Sequence, residues 1–439
     1  MDVVHRITEL GHTRLSWFSC SDDDGSNRLN HRSTVVLLLI FSAILTSRLF
    51  LNDLIICWTP GEFTGNFVSY TRHYCYVHNT YYLTINETIP ITPNADIRRQ
   101  RSIYYYQWLP ILLAIQSMFF LIPRIIWSNF SSRCGINIQH ILSPTYDYRT
   151  SRYKVRHITA MLTILAKAKY YDFNRTNIQS KTSFNHILKS FNIFCLPLFF
   201  FNENFFHGYY LANLFLIVKI LFLLNSMLQL FFLNTLLTKN ALIYGAEVIT
   251  NFLNGEYVVG SRIFPLTVYC DFSIPKVGQP TLYTVQCLLP MNVFNEKIFT
   301  IIWFWLAFLS LNNLKSLFLT ILHCLFRQFN YAYIARYLDL YSKKERFKRN
   351  MLVKRFVFEY LNSDGVLILR LISENISDLL TSEVINDLWN DYKIMNRLNS
   401  TNREKYYNQR LKNVTMTRGD LNTNSNITSS NVYFRQTYK

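Results

Sequence analysis

Residues 104–127 read YYYQWLPILLAIQSMFFLIPRIIW, an apolar run long enough to cross a lipid bilayer as a helix. Aromatic residues stand at both of its ends, where they favour the two membrane–water interfaces. Pro110 and Pro123 also lie near the ends, where a proline disturbs a helix less than it does mid-helix. The run therefore predicts a transmembrane helix.

Three more runs of this kind occur along the chain, the first of which, at residues 33–51, reads STVVLLLIFSAILTSRLFL. The other two cover residues 208–234 and 298–325, and each contains polar side chains among the apolar ones. Lys219 and Lys315 are the strongest cases, and they either line a pore or pack against neighbouring helices, because an ammonium group facing lipid is costly. The four runs predict an all-α polytopic membrane protein.

Basic residues are concentrated in two of the segments that flank these runs. Residues 128–207 contain ten Lys and Arg against three Asp and Glu, and a second basic cluster begins at Lys343. Residues 52–103 and 235–297 contain four basic and four acidic residues each. Because Lys-rich and Arg-rich loops stay in the cytosol, both termini are predicted to be cytosolic. The net charge of +18 then lies beside anionic lipid, and no nucleic-acid partner is expected.

The chain is thus divided into ten predicted segments. They are a cytosolic N-terminal segment (1–32), four transmembrane helices (33–51, 104–127, 208–234 and 298–325), two extracellular loops (52–103 and 235–297), a cytosolic loop (128–207), a cytosolic helical region (326–398) and a disordered C-terminal tail (399–439). The helical region shows apolar residues at spacings of three and four, whereas the tail has too few apolar residues to order itself.

Two cysteines fall in each predicted extracellular loop, Cys57 and Cys75 in the first and Cys270 and Cys287 in the second. Thiols oxidise outside the cell, and long loops with little core need covalent links. We predict two disulfides that link these loops, although four cysteines allow three pairings, and the predicted fold class allows a little β structure in the loops. The alternative is that these cysteines are small buried hydrophobic residues. Asn86 lies in an Asn-Glu-Thr sequon of the first loop and is either glycosylated or an unused sequon.

The segment Tyr105, Tyr106, Gln107 and Trp108, followed by Leu and Pro, resembles the signature of the innexins, the invertebrate gap-junction proteins. The resemblance includes RLNHRSTVVLLLIF, CWTPGEFTGNFVSYTRHYCYVHNTYYL, IPRIIW and YTVQCLLPMNVFNEKIFTIIWFW, and it covers most of residues 1–340. The signature's usual Val is Leu109 here, which is a conservative change.

The resemblance implies a subunit of a large-pore channel that passes ions and small molecules between adjacent cells. Eight subunits would form a ring, built from this chain alone or with other innexins, and the hemichannel would dock with the opposing hemichannel at the plasma membrane. It also implies that residues 1–32 enter the pore mouth, where Asp2, Arg6 and Glu9 would act on permeant ions. The alternative for this segment is a solvated cytosolic arm.

A second function remains open, namely a non-docking hemichannel like the related pannexins, because a glycan at Asn86 would block docking. We find no phosphate-binding glycine loop, nucleophile elbow or metal-ligand spacing, so we expect neither an enzyme nor a bound metal or cofactor. A transporter is disfavoured too, because the four runs show no internal repeat.

Overall fold

The computed structural model describes most of the predicted membrane helices and the segments that fold beside them. The described residues are 22–51, 55–78, 80–83, 102–103, 108–132, 138–142, 154–164, 166, 209–237, 250, 253–254, 264–275, 277–341 and 346–397. By contacts the chain divides into two compact units. The bundle unit comprises residues 26–126 and 218–318, and the helical unit comprises residues 1–25, 127–217 and 319–439.

Among the described residues, four helices are long and apolar enough to cross a membrane, in agreement with the four predicted runs. Helix α1 comprises Gly25–Arg28, a π-helical turn at Leu29–Thr34, and Val35–Leu51. The other three are α3 (Leu109–Ser131), α6 (Tyr210–Leu237) and α7 (Pro290–Leu325). The predicted fold class, an all-α polytopic membrane protein with four spans, is confirmed.

Two of these helices begin earlier than their apolar runs. Helix α1 starts at Gly25 and α7 at Pro290, whereas the runs start at residues 33 and 298. The added turns are polar in sequence, but their side chains find partners inside the protein. Asn292, for example, is buried and donates a hydrogen bond from Nδ2 to the carbonyl oxygen of Pro265 at 2.9 Å. Such internal partners let a polar turn continue a helix.

A five-stranded antiparallel sheet lies in the bundle unit, formed by the two segments predicted as extracellular loops. Its strands are β1 (Ile56–Trp58), β2 (Thr80–Tyr81), β3 (Ser102–Ile103), β4 (Thr267–Pro275) and β5 (Pro280–Leu288), in the order β1-β5-β4-β2-β3. Helix α2 (Gly65–Val77) connects β1 to β2 along the chain. We call these strands and α2 the sheet–helix domain.

The hydrophobic core of the bundle unit lies where the long helices pack together. Its fully buried residues come from all four long helices, and they include Leu38, Leu113, Phe120, Leu233, Ile302 and Leu309. Outward-facing positions on the same helices are apolar as well, for example Ile40, Met118, Leu228 and Leu311. Helices that are apolar on all sides are typical of proteins surrounded by lipid.

The helical unit contains the described part of the segment after α7. Its helices are α4 (Ile138–Leu142), α5 (154–164), α8 (Arg327–Tyr341), α9 (Arg346–Arg355, continued by a π-helical turn at Phe356–Leu361), α10 (Asn362–Asn375) and α11 (Asp378–Arg397). Buried residues recur at helical spacing on α10 and α11, for example Leu369 and Ile372 on α10 and Val384 and Leu388 on α11. This is the spacing that the sequence showed.

Candidate functional site

The sheet–helix domain is held together by two disulfides, both of which connect the first loop segment to the second. Cys57 on β1 is bonded to Cys287 on β5, and Cys75 on α2 is bonded to Cys270 on β4. The bonds join residues 230 and 195 positions apart in the chain. The two segments therefore form one cross-linked domain rather than two separately closed loops.

The disulfides lie in a small core between the inner face of the sheet and helix α2. Cys75, Cys270 and Cys287 are at most 1% exposed, and they share the core with Val268 and Phe272. Aromatic rings extend this core. Phe63 packs edge-on against Tyr283 at 5.2 Å between centroids, and Phe272 stacks on Tyr283 at 5.8 Å. Such rings supply most of the apolar area that a small domain can bury.

The opposite face of the sheet and the β4–β5 hairpin are open. Trp58 on the edge strand β1 is 81% exposed, and Leu282 on β5 is 55% exposed. The hairpin turns through Val277, whose side chain is fully exposed, and Gly278, whose φ of +102° favours glycine. Each strand is nine residues long, so the turn lies about 27 Å along the sheet from the start of α7. The hairpin tip thus protrudes, with the apolar side chain of Val277 exposed on it.

A polar cluster joins three of the long helices inside the bundle. Asn30 on α1 and Asn313 on α7 exchange two hydrogen bonds, at 2.7 and 2.9 Å between nitrogen and oxygen. Asn313 Nδ2 also donates to Ser226 Oγ on α6 at 3.1 Å. Both asparagines are buried, so each side-chain amide forms its hydrogen bonds with protein atoms in place of water. These hydrogen bonds set the relative positions of the three helices, which apolar packing alone would define less strictly.

Lys219 takes part in the same bundle and packs against a neighbouring helix. Its side chain is 3% exposed, and its ammonium group donates to Ser316 Oγ on α7. This arrangement agrees with helix packing, one of the two roles that the sequence left open. Lys315, in contrast, is exposed on the surface of α7.

Arg370 is the centre of a second polar cluster, in the helical unit. Its guanidinium donates to His323 Nε2 at 3.0 Å and to Asn330 Oδ1 at 3.3 Å, and it lies 4.6 Å from the centroid of the Tyr333 ring. Burial raises the pKa of the Tyr333 hydroxyl well above its usual value, so this ring stays neutral. Arg370 thereby connects the end of α7 with α8 and α10.

Asp378 connects three helices of the helical unit. Its carboxylate accepts hydrogen bonds from Ser373 Oγ on α10 and from Tyr337 Oη on α8, the latter at 2.9 Å. These two donors, the Ser373 hydroxyl first, hold the pKa of the Asp378 carboxyl below its usual value. The residue also opens α11, where a negative charge is favoured by the helix dipole.

Several residues singled out in the sequence lie outside the described residues. They are Asp2, Arg6 and Glu9 of the N-terminal segment, Asn86, and Tyr105, Tyr106 and Gln107 of the signature. Trp108 is described, and it is exposed at the turn before α3, where its carbonyl oxygen accepts the Leu112 amide at 2.9 Å. The predicted tail at 399–439 is also outside the described residues.

Sequence reasoning missed Asn30 and Arg370. Asn30 was assigned to the cytosolic N-terminal segment because it precedes the apolar run. Ser26 lies four residues earlier on the same helix face, and its Oγ donates to Asn313 Oδ1 at 3.3 Å, so the pair of polar residues at helical spacing was the available signal. Arg370 stands alone in the apolar stretch VLILRLI, and a lone cation there predicts a buried polar contact.

Four membrane-length helices and one disulfide-linked domain built from two loop segments define a polytopic membrane protein whose loop segments are cross-linked. The model of one family, Innexin, matches residues 23–392. The chain therefore belongs to the innexin family, as the sequence motifs predicted.

Individual relatives agree with this assignment. Innexin unc-9 of Caenorhabditis elegans is 33% identical over 374 residues, which is 84% of this chain and 92% of the relative. Innexin-11 of the same species is 29% identical over 383 residues, covering 86% of this chain and 80% of the relative. Innexin eat-5, also from this species, is 26% identical over 391 residues, covering 84% and 87%. Innexins form gap-junction channels, and this chain is an innexin-like channel subunit.

Proposed function

We propose that this chain forms ring-shaped hemichannels of eight subunits at the plasma membrane, and that two hemichannels from adjacent cells dock into one intercellular channel. Ions and small molecules pass through it, selected mainly by size. The ring is built from this chain alone or together with other innexins, and the chain has no enzymatic activity.

The orientation that we propose places both termini in the cytosol and the sheet–helix domain outside the cell. The charge distribution supports it, because residues 128–207 carry ten basic residues against three acidic ones. The disulfides support it as well, since such bonds persist in oxidising compartments.

One observation carries the docking proposal. Both disulfides connect the two extracellular segments into a single domain, and from this domain the β4–β5 hairpin projects with Val277 exposed at its tip. A docking surface has to keep its shape before the partner arrives, because ordering a loop on binding costs affinity. Cross-linking of the two segments supplies that rigidity.

Dual voltage clamp on paired cells tests the proposal, with single expressing cells recorded in parallel. Junctional conductance in pairs where both cells express the chain supports docking. Large currents in single cells without junctional conductance favour the non-docking hemichannel, and enzymatic removal of a glycan at Asn86 then shows whether that sugar prevents docking. Absence of both currents despite surface expression contradicts the proposal for a channel made of this chain alone.

A further inference from the structure

Asp364 of helix α10 is bonded to the first turn of the transmembrane helix α6. Its Oδ1 atom accepts a hydrogen bond from the backbone N–H of Ala212 at 3.0 Å, although the two residues are 152 positions apart. Ala212 is the third residue of α6, and the first backbone amides of a helix have no partner within it. Asp364 and Ala212 are each 6% exposed, so a protein group takes the place of water at this amide. A residue that follows the fourth span therefore caps the start of the third.

The carboxylate also supplies a negative charge that the first turn of α6 lacks. Within α6 the first turn contains no acidic residue. A helix N-terminus favours a negative charge because the peptide dipoles add up along the axis, and a hydrogen bond to a carboxylate is stronger than a neutral one. Movement of Asp364 away from α6 would remove both interactions.

A second contact of α10 holds the end of another transmembrane helix. Arg370 lies six residues after Asp364, and its guanidinium group donates to His323 Nε2 at 3.0 Å. His323 belongs to the last turn of α7. Helix α10 thus holds the start of α6 and the end of α7, so its position affects two of the four membrane helices.

The residue at the start of α10 has a strained backbone. Asn362 has φ +53° and ψ −172°, and it alone among the described non-glycine residues has a positive φ. This conformation lies close to a region that almost only glycine adopts, because the Cβ atom of other residues clashes with the backbone there. Such strain persists only where the surrounding structure imposes it, and it is concentrated at active sites and switch regions.

The strain is imposed by two packed elements that meet at Asn362. The π-helical turn Phe356–Leu361 ends there, and the Asn362 N–H donates to the carbonyl oxygen of Val357, which is 1% exposed. On the other side, a Cβ atom at Gly365 would lie only 3.2 Å from Leu361 Cδ2, because α10 approaches the turn closely. Asn362 is thus a corner between an anchored turn and α10, the kind of position that absorbs the φ and ψ change of a hinge.

We propose that α10 is a gating helix of the channel, which turns about Asn362 and moves the start of α6 through Asp364. The inference rests on the proposed function and orientation, which place these helix ends in the cytosol. In the arrangement described here, Asp364 caps α6 while Asn362 is strained. In the second arrangement Asn362 relaxes and the cap is lost. The cap and the strain differ little in energy, and two arrangements of similar energy are what a switch requires.

Single-channel recording from the full-length protein, reconstituted in phosphatidylcholine bilayers, tests the proposal through the ratio of open to closed time. Asn362→Gly relieves the strain and should favour the arrangement described here. Asp364→Asn weakens the cap and should favour the second arrangement. The two variants should therefore change the ratio in opposite directions, each by about fivefold, whichever arrangement conducts.

Two matched controls separate this effect from a general change of the helical unit. Ser363→Gly places the same residue one position later, where φ is not positive, and it should not reproduce the shift caused by Asn362→Gly. Glu383→Gln removes an exposed carboxylate from α11 and should leave the ratio unchanged. Changes of Asn362→Gly and Asp364→Asn in the same direction, or an unchanged ratio in either variant, would overturn the proposal.

Hydrogen exchange of the same variants tests the coupling without conductance. Asp364→Asn should speed the exchange of the amides at residues 210–214 about fivefold, and Asn362→Gly should slow it. Altered exchange with an unchanged ratio would show a cap without a role in gating. Should Asp364→Asn unfold the helical unit, Asn362→Gly decides both tests alone.

The two experiments also distinguish failure of this inference from failure of the proposed function. An unmodified protein that conducts no current contradicts the proposed function. Exchange then decides about α10, because the expected changes at residues 210–214 support its movement and unchanged exchange in both variants overturns it.

Discussion

At the scale of single residues, the two disulfides are close enough to exchange partners. The sulfur atoms of Cys57, Cys75 and Cys287 all lie within 4.8 Å of one another. If one of these disulfides is broken, the resulting thiolate therefore lies close to a sulfur atom of the other disulfide. Thiol–disulfide exchange occurs when a thiolate attacks a disulfide sulfur in this way. A single unpaired cysteine at Cys57 or Cys287 is therefore expected to disturb the native pairing.

We expect Cys57→Ser to cause rearrangement rather than the simple loss of one bond. The freed Cys287 thiolate attacks the Cys75 sulfur, a Cys75–Cys287 bond forms, and the Cys270 thiolate leaves. Disulfide mapping by mass spectrometry should find this bond, and junctional coupling should be lost. The double variant Cys57→Ser/Cys287→Ser is the control, because it should keep the native Cys75–Cys270 bond. Exclusive recovery of Cys75–Cys270 from the single variant would contradict the exchange.

Asn313 is the residue on which the polar cluster of the bundle depends most. Asn313→Leu removes its hydrogen bonds and leaves the Asn30 amide buried in an apolar environment, which should cost about 1–2 kcal/mol. We expect a lower apparent unfolding temperature of the detergent-solubilised protein. Asn312→Leu is the matched control, since Asn312 is only half-buried and donates a single bond, to Ser26 Oγ at 3.1 Å. An equal effect of both substitutions would refute the special role of Asn313.

At the scale of elements, Arg370 joins three helices through groups that need a planar guanidinium. Arg370→Lys keeps the positive charge. A lysine ammonium group, however, cannot donate hydrogen bonds to both His323 and Asn330 and at the same time pack over the Tyr333 ring. We expect a loss of about 2 kcal/mol of stability, the scale of a buried charged hydrogen bond, and faster hydrogen exchange in α8 and α10. Arg397→Lys, at the exposed end of α11, serves as the control and should leave exchange unchanged.

Asp378 should make the contact between α8, α10 and α11 dependent on pH. The Ser373 and Tyr337 hydroxyls lower the pKa of the Asp378 carboxyl in the folded state. The charged carboxylate therefore stabilises the folded protein at pH values above the unfolded-state pKa of about 4, and this stabilisation is lost as the pH falls below that value. Asp378→Asn should lower the apparent unfolding temperature at pH 7 and have a smaller effect near pH 3. A difference from the unmodified protein that does not change with pH would disprove a role for the charge.

At the scale of the whole molecule, the β4–β5 hairpin should decide docking but not pore formation. Val277→Asp adds a charge to the exposed tip, which would have to lose water on docking. We expect a large loss of junctional conductance with hemichannel current retained, measured by dual voltage clamp and single-cell recording. Leu379→Asp is the control, because it adds the same charge at an 80% exposed site in the helical unit. Parallel loss of both currents would place the tip in pore assembly instead.

Much of this architecture is local and could be read from the sequence. Each membrane span is a continuous apolar run, and hydropathy along the chain reveals it without knowledge of its neighbours. The spacing of apolar residues in α10 and α11 could likewise be recognised from consecutive residues alone. The polar starts of α1 and α7 escaped the sequence analysis because Asn30 and Asn292 are acceptable there only through partners distant in the chain.

The sequence by itself determined four spans, two cysteines in each loop and the family, because length, composition and motif are properties of consecutive residues. Only the tertiary structure decided that Cys57 pairs with Cys287 and Cys75 with Cys270, since each bond joins residues about two hundred positions apart. The same is true of the amide pair Asn30–Asn313. Contacts of this kind depend on which helix faces which, and that choice is made by packing of the whole chain.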